Sequence, residues 1–258
     1  MPDYQIVIPA RLASQRLPNK PLLDVEGKPL LQRVWDVGVS AGAKGVLIAT
    51  EDHEIIDAVN GFGGRAVLTS SAHASGTDRL AEVVDSQGWS DETIVVNLQG
   101  DEPCIPVTQL AGLAVLLAQN PSAGIATMAT PVRDVAEWFD PGVVKVVCSC
   151  DGRALYFSRA PIPWDRGAFD EGRRPNEMPP GVTPMRHLGM YAYRAKTLRQ
   201  FAALPPSQLE MIERLEQLRA LEAGIEIVVG RLEEPPGHGV DTPADLARIR
   251  AHFAARDE

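Results

Sequence analysis

A chain of 258 residues with 45% apolar composition is long enough for one large α/β domain with a sizeable core. Its net charge of -9 argues against bulk binding to nucleic acid or an anionic membrane, while leaving room for a focused cationic pocket. No apolar stretch approaches the roughly 20 residues of a membrane span and the N-terminus lacks a signal-peptide pattern, so a cytoplasmic protein is expected, without membrane insertion.

Ile6, Val7 and Ile8 form a continuous β-branched run suited to a parallel strand buried on both faces, and Pro9 ends its ladder. The loop beyond it carries Arg11, Arg16 and Lys20, with Pro18 and Pro21 stiffening the chain around the lysine. Ligands of open α/β sheets bind outside the carboxyl ends of the strands. Planar Arg forks beside a mobile Lys charge suit a polyphosphate, and an all-basic loop in an acidic chain implies an anionic partner rather than a merely solvated surface. Neither a Gly-x-Gly-x-x-Gly after this strand nor a Gly-x-x-x-x-Gly-Lys-Ser occurs, which disfavours a dinucleotide fold and a P-loop kinase.

Asp24 to Lys28 reads as a turn, and Pro29 opens a helix that Gly42 stops. A second buried strand covers Gly45 to Thr50. A helix over Glu54 to Asn60, closed by Gly61, leads to a short strand over Arg65 to Thr69. This alternation predicts right-handed crossovers and a mostly parallel, doubly wound sheet. Ser75 or Thr77 caps the next helix, and Gly76 beside that cap leaves backbone N–H groups open to a ligand. The most apolar strand, Thr93 to Leu98, ends in Gln99-Gly100-Asp101-Glu102-Pro103. Two carboxylates at a central strand tip suit magnesium, which takes one or two protein carboxylates and fills its octahedron with phosphate oxygens and water.

After a helix over Ile105 to Asn120 and a strand over Gly124 to Val132, the rhythm changes. Strands over Val143 to Cys150 and Ala154 to Ser158 flank a hairpin turn at Asp151-Gly152, and a Pro/Gly-rich stretch from Gly167 to Pro184 reads as a mobile loop or lid. Residues from about 133 to 205 are expected to form a small accessory lobe where a second substrate or subunit docks. Arg159, Arg166, Arg186, His187 and Tyr191 gather cationic and hydrogen-bonding groups around it. Ser207 to Glu222 reads as one helix with Glu210, Glu213 and Gln217 on a shared face. A strand over Ile225 to Val229 then leads through Pro235-Pro236-Gly237-His238-Gly239 to the terminal helix, where Thr242, Pro243 and Asp245 make a capping box. That cap leaves Asp241 without a local role, so it is the candidate second magnesium ligand, meeting Asp101 across the sheet edge. Cys104, Cys148 and Cys150 fit neither a disulfide framework nor a zinc knuckle and read as core thiols.

Pro9-Ala10-Arg11, Ser14, Arg16-Leu17-Pro18, Lys20-Pro21-Leu22, the 99–103 turn and Gly239-Val240-Asp241-Thr242-Pro243 together resemble the 3-deoxy-manno-octulosonate cytidylyltransferases, the CMP-Kdo synthetases of lipopolysaccharide assembly. The resemblance takes in Ser75-Gly76-Thr77, Tyr156-Phe157-Ser158-Arg159, Ile162 to Arg166, Arg186-His187-Leu188-Gly189 and Glu216-Gln217-Leu218-Arg219. It implies a single nucleotidyltransferase-type domain over 1–258, a homodimer joined through the accessory lobe, and a magnesium-dependent reaction of CTP with Kdo that gives CMP-Kdo and pyrophosphate. By this likeness Arg11, Lys20, Asp101 and Asp241 are catalytic, and the two aspartates hold the metal. Ala10, Arg11, Arg16 and Lys20 lie along the triphosphate, while Ser75, Gly76 and Arg79 lie along the nucleoside. Gln99, Arg159, Arg166, His187, Tyr191, Glu210, Glu213 and Gln217 surround the sugar, cations facing its carboxylate and acids its hydroxyls. Gln15 and Asn19 stand where Thr and Gly are commoner in the family, and Ala74 and Asp78 where Gln and Glu are frequent. A transferase for another sugar acid and a CTP-binding regulator are the alternatives.

Overall fold

Ile6, Val7 and Ile8 are all fully buried in β1 (Tyr4–Pro9), an interior strand of the main sheet, as a run without polar alternation requires. A computed structural model describes residues 1–13, 16–73, 75–169, 174–237 and 239–257. Ser14, Gln15, Ala74 and His238 of the motifs above, and 170–173 of the Pro/Gly-rich stretch, therefore lie outside the described residues.

The basic loop closes with a turn of 3-10 helix over Lys20–Leu22, and Asn19 before it takes the left-handed backbone (φ 54°) that asparagine tolerates. A two-stranded ribbon, β2 (Asp24–Val25) with β3 (Lys28–Pro29), leads into α1 (Leu30–Ser40), then β4 (Gly45–Thr50), α2 (His53–Gly61) and β5 (Ala66–Leu68). Gly61 lies inside α2 rather than after it, and the chain turns at Gly63, whose φ of +76° a side chain would resist. Next come α3 (Gly76–Ser86), β6 (Ile94–Asn97), α4 (Val107–Gln119), β7 (Ile125–Pro131), α5 (Val135–Phe139), β8 (Lys145–Cys148) and β9 (Ala154–Ser158). The chain ends with β10 (Met185–Arg194), α6 (Ala195–Ala202), α7 (Gln208–Glu213), α8 (Gln217–Glu222), β11 (Ile227–Arg231) and α9 (Pro243–Asp257).

The main sheet runs β11-β7-β10-β6-β1-β4-β5, mostly parallel as expected. Its exception is β10, which lies antiparallel between β6 and β7. Helices α1 and α4 bury their apolar sides with one sheet face, while α3, α6 and α8 pack with the other. The stretch expected as an accessory lobe accordingly divides. β10 and α6 belong to the central domain. Trp138 and Phe169, 4.8 Å apart, anchor a small separate core with Val132, and β8 and β9 extend the sheet beside β10. Phe169 thus fastens one end of the Pro/Gly-rich stretch.

Two further expectations are corrected. Ser207 to Glu222 is two helices, because Arg214 adopts a left-handed backbone (φ 54°) between α7 and α8. Of the three cysteines expected as core thiols, Cys150 is exposed instead, while Cys104 and Cys148 are half-buried and pack against the core. Among the described residues, no helix is long and apolar enough to cross a membrane.

Candidate active site

β1 and β6 are parallel neighbours, so their carboxyl ends deliver the basic loop and the 99–103 turn to one place. The turn lies tight against β1: a side chain at Gly100 would put its first carbon 2.9 Å from the Pro9 carbonyl oxygen. Asp52, at the end of β4, accepts the Leu12 N–H at 2.8 Å and pins the loop from the other side. At the centre, Lys20 Nζ donates to Asp101 Oδ2 at 2.6 Å, to the Val240 carbonyl at 2.9 Å and to Asp241 Oδ1 at 3.3 Å, while Arg16 reaches Asp241 Oδ1 at 3.1 Å. The two aspartates, 140 positions apart in the chain, therefore do meet, and a lysine from the basic loop joins them. Asp241 is free for this because Asp245 accepts the Thr242 N–H and hydroxyl and so completes the helix cap.

A cleft of about 940 Å³ opens over this group. Ala10, Arg11, Arg16, Lys20, Ser75, Gly76, Arg79, Gln99, Asp101 and Asp241 all line it, so the nucleotide-side residues read from the sequence are brought together as a set. Ser75 caps α3 by accepting the Asp78 N–H at 3.2 Å, and its hydroxyl donates to the Asp78 carboxylate at 3.0 Å. The Arg79 guanidinium is buried and held by Thr69 and Glu51, and burial together with nearby Arg11 lowers its pKa. Arg79 thus builds the wall more than it offers a free charge. His73 also lines this cleft, paired with Glu82, and was not anticipated.

A second cleft, of about 500 Å³, lies over β6 and β10. The register of β10 against β7 shifts between His187 and Tyr191, and Leu188 and Gly189 within that shift line the cleft. Gln99, His187, Tyr191 and Gln217 line it. The ring of His187 packs edge-on to Phe157 and beside Tyr191, and burial lowers its pKa to about 3, so it is neutral and not a cation for a carboxylate. Thr127 gives its single hydroxyl hydrogen to the Met190 carbonyl, at 2.7 Å. The 2.9 Å contact with His187 must therefore be Nε2–H donating to Thr127 Oγ1, which fixes the tautomer.

Arg159, Arg166, Glu210 and Glu213 are absent from the walls of both clefts. Arg159 Nε donates to the Glu213 carbonyl at 2.8 Å and Arg159 NH1 to the Pro141 carbonyl at 2.9 Å, while Arg166 is exposed. The Glu213 carboxylate accepts from Ser158 Oγ at 2.5 Å and the Arg159 N–H at 2.9 Å, so it ties β9 to α7. Glu210 accepts two guanidinium bonds from Arg219, at 2.5 and 2.7 Å. Burial raises its carboxyl, but those bonds, the Ser207 N–H and the Arg219 charge outweigh that and hold it below the usual range. The left-handed Arg214 sets these two acids on a different helix from Gln217. Asn97, Thr77, Tyr193, Arg214 and Glu216 line the acceptor-side cleft instead. Glu216 accepts from Thr77 Oγ1 at 3.1 Å and is raised by burial. Thr77 and Glu216 carried a signal, as members of motifs already singled out.

Gly76 and Gln99 line both clefts, so the two are one continuous site, with one half basic around two aspartates and the other rich in hydrogen-bonding groups, Arg186, Arg214 and Glu216 among them. The sequence model of the family described as Cytidylyltransferase matches residues 5–227. A 3-deoxy-manno-octulosonate cytidylyltransferase of Methylococcus capsulatus is 50% identical over 254 residues, 98% of each chain. Its namesake from Marinomonas sp. is 48% identical over 252 residues, 97% of this chain and 95% of that one. A solved CMP:2-keto-3-deoxy-manno-octonic acid synthetase complexed with CTP superposes with a TM-score of 0.87 at 41% identity, covering 99% of this chain and all of that one. A nucleotidyl transferase from Methanothermobacter, 17% identical with a TM-score of 0.58 over 98% of this chain and 99% of its own, shares the fold alone. With the basic loop, the 99–103 turn and Asp241 lining one cleft, the chain belongs to the cytidylyltransferase family, among its 3-deoxy-manno-octulosonate cytidylyltransferases.

Proposed function

We propose that the chain transfers the cytidylyl group of CTP to the anomeric hydroxyl of Kdo, giving CMP-Kdo and pyrophosphate for lipopolysaccharide assembly. The observation that carries this reading is the junction of the two clefts at Gly76 and Gln99, where an acceptor on one side reaches a phosphate on the other. The reading includes magnesium dependence, a cytoplasmic location and a homodimer, as its relatives' resemblance implies.

The residues fit the metal. Asp101, Asp241 and the Val240 carbonyl offer only oxygen donors and already converge on one cation, the Lys20 ammonium. Beside them Glu102 is half-buried, and its carboxyl is raised to about 7 by burial and by the charges of Asp101 and Asp241. Among the described residues no group of three or more His, Cys, Asp or Glu side chains forms a metal cage. The fit is to an ion that takes two carboxylates and completes its shell with phosphate and water, as magnesium does. When bound, magnesium supplies charge neutralisation at the phosphate and a lowered pKa for the attacking hydroxyl.

The chain's own groups do the rest. Arg11, Arg16 and Lys20 bind the triphosphate and stabilise the charge that grows on departing pyrophosphate. Exposed backbone at Gly76, the first residue of α3, lets the nucleotide approach closely. Gln99 stands at the junction and orients the acceptor hydroxyl toward the phosphate, where alignment alone lowers the barrier. Neutral His187 and protonated Tyr191 hydrogen-bond the sugar without adding charge; burial raises Tyr191 well above its ordinary value.

Pyrophosphate release with magnesium tests this, comparing CTP with ATP, GTP and UTP, and Kdo with sialic acid. Release is expected only with CTP and Kdo together. Preferred use of sialic acid would move the acceptor assignment, and silence with every pair would favour a regulator. An Asp101→Ala variant should lose more than about 100-fold in turnover while CTP affinity changes far less, because the carboxylate acts on the reacting phosphate. Near-normal turnover with magnesium would remove Asp101 from the metal site.

A further inference from the structure

The acceptor-side cleft contains two side-chain amides with an unsatisfied buried atom. Asn97 and Gln217 are 6% and 8% exposed, and neither Asn97 Oδ1 nor Gln217 Nε2 has a hydrogen-bond partner among the described residues. Leaving such an atom unpaired costs stability. The cost is conspicuous for Asn97, the last residue of a strand otherwise made of buried Ile94, Val95 and Val96 and followed by buried Leu98. An apolar residue would suit that position better if packing were its only task.

Several neighbouring polar groups have partners in the protein. His187 donates to Thr127, Thr77 donates to Glu216, and Arg186 donates to Glu137 at 3.0 Å. Asn97 also stands at the right place, opposite Tyr191 on β10 and two residues before Gln99 at the junction of the clefts. An amide oxygen accepts and cannot pair with a carboxylate, so a ligand must bring it an O–H or N–H; a sugar's hydroxyl does so. Gln217 Nε2 is the complement, a donor that a sugar oxygen satisfies.

We propose that Asn97 is a specificity-determining residue for the acceptor: its side-chain oxygen accepts from one hydroxyl of the sugar acid while Gln217 donates to an oxygen of the same molecule. This rests on reading the cleft as the Kdo site. A sugar acid lacking that hydroxyl leaves Asn97 buried and unpaired, and sites built to bond a substrate hydroxyl reject analogues without it strongly.

The test is an Asn97→Leu variant of the full chain, assayed for pyrophosphate release with saturating CTP against Kdo and a series of monodeoxy Kdo analogues, with thermal melting in parallel. Melting of the ligand-free variant should be unchanged or higher, since an unsatisfied polar atom gives way to an apolar group of similar shape. The KM for CTP should stay within about twofold, and kcat/KM for Kdo should fall by about 30-fold or more. One monodeoxy analogue, penalised by the native enzyme, should be used by the variant as well as Kdo is. The proposal is overturned if kcat/KM for Kdo stays within about threefold of native. It is equally overturned if discrimination against every analogue is unchanged, or if melting falls and all acceptors lose alike. Gln217→Met, at a helix end, carries the same expectation for a different oxygen and serves if the strand variant does not fold. A native enzyme that ignores Kdo would refute the site reading itself, an outcome separate from all of these.

Discussion

Lys20 is the residue on which the catalytic half turns. Its ammonium holds two carboxylates and a carbonyl together. On the metal reading proposed above, ligand binding exchanges one cation for another. A Lys20→Met variant should bind CTP more weakly, yet bind manganese more tightly in the absence of CTP, because the competing charge is gone. Calorimetric titration with each ligand separately checks both directions, and weaker manganese binding would show that the lysine organises the aspartates rather than competing for them. His187 gives the second residue-scale expectation. Its folded pKa is about 3 and its unfolded value about 6.5, so the unfolded chain binds the proton more readily between these values. The stability that depends on a neutral His187 is therefore complete above about pH 6.5 and is lost as pH falls toward about 3. Urea midpoints measured from pH 7 to 4 should fall more steeply for the native chain than for His187→Gln; equal slopes would show that the ring titrates freely.

At the scale of elements, the break between α7 and α8 decides which acids serve the site. Periodicity alone put Glu210, Glu213 and Gln217 on one face, and nothing local announces a left-handed arginine. The break turns Glu210 back onto Arg219, both side chains 11% exposed, with Arg219 also 4.6 Å from the Phe201 ring. Glu210→Ala should cost about 3–5 kcal/mol in urea unfolding, since it strands a buried guanidinium. Glu210→Met combined with Arg219→Leu should recover much of that loss and keep the Kdo KM near native. A raised KM in the stable double variant would restore Glu210 to the sugar. By contrast the capping box of α9 and the Ser75 cap of α3 form where the sequence puts them, because each depends on residues within one turn.

For the whole molecule, the sheet joins a nucleotide half to an acceptor half, and an outer surface remains for a partner. β9 pairs with a named strand on one side only, and Leu155 on it is 62% exposed. Glu213 ties β9 to α7, whose Met211 and Ile212 are 63% and 69% exposed. An apolar surface beside an open strand edge is where a second copy would dock. Ile212→Asp should convert a dimer into a monomer in sedimentation experiments without altering melting of the isolated subunit; an unchanged dimer would place the interface elsewhere.

The sequence by itself determined the parallel strands, the basic loop after β1, the acidic turn after β6, the helix caps and the family, because each is written in residues that are close together or in motifs whose chemistry is specific. It also isolated Asp241, by elimination once its neighbours were assigned to a cap. Tertiary structure decided the rest. Insertion of β10 antiparallel between β6 and β7 made residues 185–194 central to the domain, and residues within the shifted register there line the acceptor cleft. Strand pairing across 54 or more positions and a backbone reversal at Arg214 leave no period in the local sequence. The same holds for Asn97, whose unpaired oxygen is an expense visible only when everything around it is known to be buried.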